Sequence, residues 1–131
     1  MKGTGGIGDT LPTYRVAAVQ AAPVFLDREA TVDKACELIN EVAQGGATLA
    51  VFPETWIPGY PVWTNADARW NYGPAKEAYS LLYRNAVDVP GPVTDRLCET
   101  AGRTGVALAM GIHERSRTGT LYNSMLFIDR D

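Results

Sequence analysis

The chain contains 131 residues with a mass of 14.2 kDa, which fits one domain of about 100–150 residues. Hydrophobic residues make up 46% and charged residues 21% of the chain, so the composition excludes an intrinsically disordered protein. A net charge of −3, two cysteines and one histidine argue against nucleic-acid binding, a disulfide framework and a zinc site. We expect no metal and no cofactor.

The apolar runs are too short to span a bilayer, and the N-terminus lacks the apolar core of a signal peptide. These features predict a cytoplasmic protein that does not enter a membrane.

Residues 1–13 are rich in glycine and polar residues, and we expect a flexible arm ahead of one domain spanning residues 14–131. Gly3, Gly5 and Gly8 have the G-x-G-x-x-G spacing of a dinucleotide-binding loop. That loop follows a strand and opens a helix, whereas this run precedes the first predicted strand. The pattern therefore disfavours a nucleotide-binding domain.

The next segments predict a strand–helix–strand unit. Arg15–Ala21 is short and apolar, which indicates a buried strand, and Thr48–Phe52 indicates a second. Between them, Asp27 can cap a helix that runs to about Gln44. The apolar stripe of this helix consists of Val32, Ala35, Cys36, Ile39, Val42 and Ala43. Short connections in this order predict parallel strands.

Residues Pro53–Tyr72 are predicted to form a structured, aromatic-lined loop, because their prolines and glycine prevent a long regular element. A helix is expected from Pro74 to about Ala86, and another over Val93–Arg103. Cys98 lies beside Leu97 in that second helix. We expect Cys98 to be a packed structural thiol, like Cys36.

The last segment predicts a hairpin of two strands, Val106–Glu114 and Thr120–Asp129. The second strand carries apolar residues on both faces, which predicts a strand covered on both sides. The hairpin also ends the predicted sheet with an apolar edge, a feature that favours pairing with another chain.

Glu54 is the strongest candidate for a catalytic group. It directly follows a predicted buried strand and Pro53, and the ends of parallel strands are where α/β sheets bind ligands. A carboxylate beside Trp56 and Tyr60 would be partly desolvated, which suits a general base. The alternative is a solvated or helix-capping carboxylate.

Two further polar residues lie on the predicted hairpin. His113 and Glu114 are adjacent in a strand and therefore point to opposite faces, so they cannot easily share one site. A structural role is the simpler interpretation of His113. Asn123 is an amide placed to orient a carboxylate. The three tryptophans favour a pocket wall or a subunit interface over stacking with nucleic acid, because few basic residues surround them.

The run Val51–Pro61, VFPETWIPGYP, resembles the first catalytic motif of the nitrilase branch of the carbon–nitrogen hydrolase superfamily. Other segments resemble that family in the same order, namely Arg15–Ala22, Asp88–Pro92, Gly111–Arg115 and Leu121–Ser124. The resemblance implies a four-layer α-β-β-α sandwich, of which this chain holds the amino-terminal part. It also implies a Glu–Lys–Cys catalytic set, in which the cysteine attacks a nitrile carbon to give a thioimidate.

By this resemblance Glu54 is the general base. Trp56, Tyr60 and Asn123 are the expected substrate-pocket residues, and the loop from Trp56 to Trp70 is expected to approach a subunit interface. The implied partners are a small nitrile or amide and further copies of the chain in a homo-oligomer.

The sequence departs from the family in one respect. It contains neither the Gly-Lys-x-Arg-Lys stretch that carries the family lysine nor the Cys-Trp-Glu stretch that carries the nucleophile. We therefore expect this chain to be inactive alone and to be a fragment or to need a complementing chain. The alternatives are a noncatalytic assembly module and an amidase or cyanide-hydrolysing member of the superfamily.

Overall fold

The computed structural model describes residues 11–66 and 73–131. Most of the predicted arm, including its three spaced glycines, lies outside these ranges, as do Trp70 and Tyr72 of the aromatic loop. The elements in chain order are β1 (Val16–Ala18), α1 (Arg28–Gln44), β2 (Leu49–Val51), α2 (Trp63–Ala66), α3 (Gly73–Asn85), α4 (Pro92–Thr104), β3 (Ala107–Arg115) and β4 (Leu121–Ile128). No helix in the described ranges has both the length and the apolar character needed to cross a bilayer.

The strands form one sheet in the order β1-β2-β3-β4. β1 pairs with β2 and β2 with β3 in parallel, while β3 and β4 form an antiparallel hairpin. In this register Ala50 lies opposite Leu108, and His113 lies opposite Asn123. The predicted strand–helix–strand unit and the predicted hairpin are both confirmed.

Helices α1 and α4 pack on each other and on one face of the sheet. The Asp27 carboxylate caps α1 by accepting a hydrogen bond from the Ala30 N–H at 3.0 Å, as its sequence position predicted. The core between helices and sheet is built by Val32, Ala35, Ile39, Val93, Leu97, Ala101, Leu108, Met110 and Ile112, all 6% exposed or less. Burying a large aliphatic side chain stabilises a fold by about 1.5–3 kcal/mol, so this core holds the sheet rigid.

The opposite face of the sheet is exposed at its two edge strands. Val16 on β1 is 52% exposed, so the prediction of a fully buried first strand is wrong. Phe127 on β4 is 80% exposed, and the prediction that β4 is covered on both sides is also wrong. Both strands lie at edges of the sheet, and α1 and α4 cover only one of its faces.

The two cysteines differ. Cys36 packs against the core and its Sγ lies 3.4 Å from the Thr100 hydroxyl, in agreement with a structural thiol. Cys98 is exposed, so the prediction for this residue is wrong. Successive helical residues are separated by 100°, and the turn that buries Leu97 directs Cys98 outward.

The loop after β2 leaves the sheet and then returns to it. The Phe52 N–H donates to the Ala109 carbonyl at 2.8 Å. Ile57 then pairs with β3, because its N–H donates to the Gly111 carbonyl and its own carbonyl accepts from the His113 N–H. Residues 53–56 form the excursion between these contacts. Further along β3, Val87 forms an isolated parallel bridge with the same edge of the strand.

The segment containing Val87 is fixed by Arg115. The Arg115 guanidinium forms two hydrogen bonds with the Asp88 carboxylate, at 2.9 and 2.6 Å, and a third with the Tyr83 carbonyl. These hydrogen bonds lower the pKa of Asp88 below its ordinary value of 3.8 and raise that of Arg115. The link between α3 and α4 is therefore fastened to the end of β3.

The excursion of residues 53–56 passes over β3 at Gly111. A Cβ at this position would lie 2.3 Å from the Pro53 carbonyl oxygen, 2.6 Å from the Thr55 nitrogen and 2.8 Å from the Glu54 Cα. All three are backbone atoms, which cannot move aside as a side chain can. Only glycine allows this loop to lie against the strand.

We predict that Gly111→Ala destabilises the chain by about 1–3 kcal/mol or more, since the added methyl group overpacks against backbone. Urea unfolding of both proteins measures the change. Gly102→Ala is the matched control, because a Cβ at Gly102 meets nothing within 4 Å and the residue lies inside α4. The control should gain about 0.5–1 kcal/mol. Equal stability of Gly111→Ala and the wild type would contradict the steric argument.

Candidate functional site

Glu54 stands at the carboxyl end of β2, on the excursion that crosses Gly111. The next residue, Thr55, has a φ of +46° and a side chain that is 1% exposed, so the turn is anchored directly after Glu54. Glu54 itself is exposed. The expectation of a partly desolvated carboxylate is therefore wrong for this chain alone, because the loop that carries Glu54 lies on the outside of the sheet, where no described residue covers the carboxylate.

Asn123 contacts Glu54 from the neighbouring hairpin. Its Nδ2–H donates to the Glu54 Oε1, with 2.5 Å between the two atoms. The two residues are 69 positions apart in the chain. The sheet brings them together because β4 folds back along β3, and the loop of Glu54 crosses β3. The amide thus lies where it can orient one oxygen of the carboxylate.

His113 belongs to the same face. It lies opposite Asn123 in the hairpin, and side chains of paired residues project to one side of a sheet. The imidazole is 8% exposed. Burial lowers the pKa of His113 below 6.5, against the opposing effects of a hydrogen bond to the Gly59 backbone and the negative charge of Glu54. The neutral ring is therefore favoured near neutral pH.

Glu114 points to the other face, as the alternation of the strand predicted. Its carboxylate accepts a hydrogen bond from the Ser124 hydroxyl at 2.7 Å. Glu114 and His113 therefore do not form an acid–base pair.

Trp56 and Tyr60 occupy different environments. Trp56 is 2% exposed, and its indole packs on Phe52 and donates to the Ala21 carbonyl at 2.7 Å. It supports the loop from the core side, whereas Tyr60 is 44% exposed. A role for either in a substrate pocket stays a prediction.

Sequence reasoning did not connect His113 with Glu54, and it did not identify Gly111 as the residue that admits the loop. The first connection could have been found from the hairpin, since His113 and Asn123 become cross-strand partners once its turn is placed. The role of Gly111 has no signal in the sequence except a glycine inside an apolar strand.

Neither cysteine lies near this group. Cys36 is on α1 and Cys98 on α4, and both helices cover the opposite side of the sheet. The described residues thus bring together a carboxylate, an amide donor and a buried imidazole. This arrangement can accept and hold a proton, and it contains no thiol.

We predict that the imidazole of His113 titrates with a midpoint below pH 6.5, because burial disfavours its charged form. His113 is the sole histidine of the chain, so one imidazole resonance in an NMR titration reports it without assignment. The unfolded chain binds this proton at a higher pH than the folded chain. Acidification below pH 6.5 should therefore lower the free energy of unfolding. A midpoint above 6.5 would contradict the burial seen here.

Comparisons with known proteins identify the family to which this chain belongs. A family model described as carbon–nitrogen hydrolase matches residues 15–131. A nitrilase of Bacillus sp. (strain OxB-1) is 43% identical over 121 residues, covering 90% of this chain and 33% of the relative. A bifunctional nitrilase/nitrile hydratase of Nicotiana tabacum is 43% identical over 126 residues, covering 95% of this chain and 36% of the relative. The chain thus spans about a third of the length of these curated relatives.

Solved structures show the same fold. A CN-hydrolase superfamily protein of Xanthomonas campestris matches with a TM-score of 0.67 and 22% identity, over 92% of this chain and 38% of that one. An amidase of Nesterenkonia sp. matches with a TM-score of 0.58 and 20% identity, over 94% of this chain and 41% of that one. The predicted fold class, part of a nitrilase-like α/β sandwich, is confirmed. Since the family model spans residues 15–131, the chain belongs to the carbon–nitrogen hydrolase family.

Proposed function

We propose that this chain is the amino-terminal part of a nitrilase that converts a nitrile to a carboxylic acid and ammonia. The observation that carries the proposal is the exposed Glu54 carboxylate held by Asn123 at the end of a parallel strand. The relatives named nitrilase support the reaction class. The lysine and the nucleophilic cysteine of the catalytic set are not among these 131 residues. They belong to the remaining part of the enzyme.

Glu54 is proposed to act as the general base. It takes the proton of the cysteine thiol, and the thiolate sulfur then bonds to the nitrile carbon. The nitrile nitrogen receives a proton as its third bond to carbon opens, which leaves a thioimidate. Water adds to the thioimidate carbon with the help of the carboxylate, and ammonia leaves. A second water cleaves the resulting thioester, which releases the acid and restores the thiol.

Asn123 supports this role by holding one carboxylate oxygen. Its amide N–H donates to Oε1, which leaves Oε2 of Glu54 available to face a thiol or a water. A base fixed in this way loses little freedom when substrate binds. The amide therefore contributes orientation, and the carboxylate contributes the proton transfer.

Nitriles are preferred over amides in this proposal because the Trp56–Pro61 continuation resembles nitrilases and the curated relatives are named nitrilases. The likeness to an amidase structure concerns the fold. One observation favours a second candidate, a noncatalytic assembly module. Met125 and Phe127 expose 46% and 80% of their surface on an edge strand, as an assembly contact would require. We propose that the same surface adjoins a complementing segment or another copy of the chain.

The test joins this chain to the remaining two-thirds of the Bacillus nitrilase, in place of the matched third of that protein. We expect ammonia release from small nitriles and its loss, by several orders of magnitude, in Glu54→Gln, because the substitution keeps the shape and removes the base. Glu99→Gln, at an exposed position of α4, is the control for loss of one negative charge. Undiminished activity of Glu54→Gln would eliminate the proposed base, and a folded but inactive fusion would favour the assembly module.

Asn123→Ala in the same fusion should lower kcat by about ten- to a hundredfold with little change in KM, because it frees the carboxylate without removing it. Asn123→Asp should be worse than Asn123→Ala, since two facing carboxylates repel each other. Steady-state ammonia assays measure both. Wild-type kcat in Asn123→Ala would mean that the amide does not orient the base.

A further inference from the structure

His113 is a buried polar residue that the proposed reaction does not use. Its backbone N–H bonds to the Ile57 carbonyl at 2.9 Å, and its carbonyl accepts from the Val87 N–H at 2.8 Å. Both hydrogen bonds lie on the same edge of β3, so the backbone of His113 is fixed to Ile57 and to Val87. The ring itself is 8% exposed and lies beside the Gly59 backbone, under the turn that follows Glu54.

Two buried side-chain atoms in the described ranges have no hydrogen-bond partner, and both belong to this region. They are the Nε2 of His113 and the Oγ1 of Thr55. A buried polar atom without a partner is destabilising, so an apolar residue at either position would favour folding. Thr55 directly follows Glu54, and His113 lies opposite Asn123, whose amide holds the Glu54 carboxylate.

Of the charged groups near His113, Glu54 is its electrostatic partner, because the other two bind elsewhere. On β3 itself, Glu114 faces the opposite side and binds Ser124. Arg115 is engaged by Asp88 from the link between α3 and α4. From β4 the facing residue is the uncharged Asn123. Among the described residues, Glu54 is the charge that acts on the imidazole.

We propose that His113 is a positioning residue for Glu54. Its buried imidazole supports the turn of residues 55–59 from the sheet, on the face where its cross-strand partner Asn123 holds the carboxylate, and the imidazole and the carboxylate are electrostatically coupled. The negative charge of Glu54 favours a proton on the ring, and burial opposes it. When Glu54 takes up a proton, the ring loses this attraction and stays neutral. On acidification the ring becomes charged, and its attraction for the Glu54 carboxylate then competes with proton uptake by that carboxylate.

The catalytic consequence rests on the proposed function, but the coupling between the two residues does not. Coupling of this kind is reciprocal, so removing the charge of one group must shift the titration of the other. Glu54 is exposed, and its substitution leaves the core untouched. The coupling can therefore be measured without any enzymatic activity.

The first experiment is an NMR titration of the single imidazole in the wild-type chain, in Glu54→Gln and in Glu99→Gln. We expect Glu54→Gln to move the midpoint to lower pH than in the wild type, because the carboxylate that favours the charged ring is gone. Glu99→Gln should leave the midpoint in place. An unchanged or higher midpoint in Glu54→Gln overturns the proposal, and so does an equal shift in Glu99→Gln.

The second experiment measures the pH dependence of kcat in the fusion enzyme for wild type, His113→Asn and His113→Leu. The wild type should lose activity on acidification at the midpoint found for the imidazole, and both variants should lack this inflection. His113→Asn keeps an N–H donor for the Gly59 carbonyl and should retain more of kcat than His113→Leu, with KM little changed. A retained inflection in His113→Asn overturns the positioning role. If the fusion is inactive while the NMR shift occurs, the proposed function fails and the coupling stands.

Discussion

The loop that carries Glu54 lies against β3 at a point where the strand has no side chain. The Pro53 carbonyl and the Thr55 nitrogen both lie where a Cβ of residue 111 would be. The contact sets the height of the loop above the sheet, and Ile57 then returns the chain to the edge of β3. Every other feature of the site follows from this crossing. A loop held farther out would lift the carboxylate from the amide of Asn123 and uncover His113.

One face of the sheet packs against helices, and the other carries the polar residues of the site. Helices α1 and α4 close one face with a core of large aliphatic residues, and this core makes the sheet a rigid platform. The other face carries small residues in the middle of the sheet, such as Ala109 and Gly111. The polar residues Glu54, His113 and Asn123 lie on this face at the carboxyl end of the parallel strands. Arg115 and Asp88 tie the last connection to the same strand. Rigidity on one side thus allows a precise arrangement of polar atoms on the other.

The local elements were predictable because their signals are local. The Asp27 cap and the apolar stripe define α1, and the predicted ranges of α3 and α4 agree with the structure within a residue or two. Glu54 could also be singled out, since it directly follows a buried strand. The predictions that are wrong concern side chains whose burial depends on residues far away in the sequence. Cys98 and the exposed face of β4 depend on what packs against them, and adjacent residues carry no information about that.

The site was harder to predict than the fold because its contacts join residues that are far apart in the chain. Asn123 and Glu54 are separated by 69 positions, and His113 meets them only through the hairpin register. The sequence indicated Glu54 as a base and Asn123 as an amide suited to orient a carboxylate, but it did not pair the two. The imidazole of His113 joins them only once the hairpin register is placed, and its burial depends in addition on the loop that crosses Gly111.

The exposure of Glu54 and the exposure of β4 have the same cause. Met125 and Phe127 alternate with the residues that face α4, and they lie on the same face as Asn123 and Glu54. Any layer that packs on these apolar side chains also removes water from the carboxylate, since the two surfaces are continuous. Electrostatic interactions strengthen as water is excluded, so such a layer would strengthen the link from Glu54 to Asn123 and His113. The chain therefore presents a site whose polar groups are already arranged but still solvated.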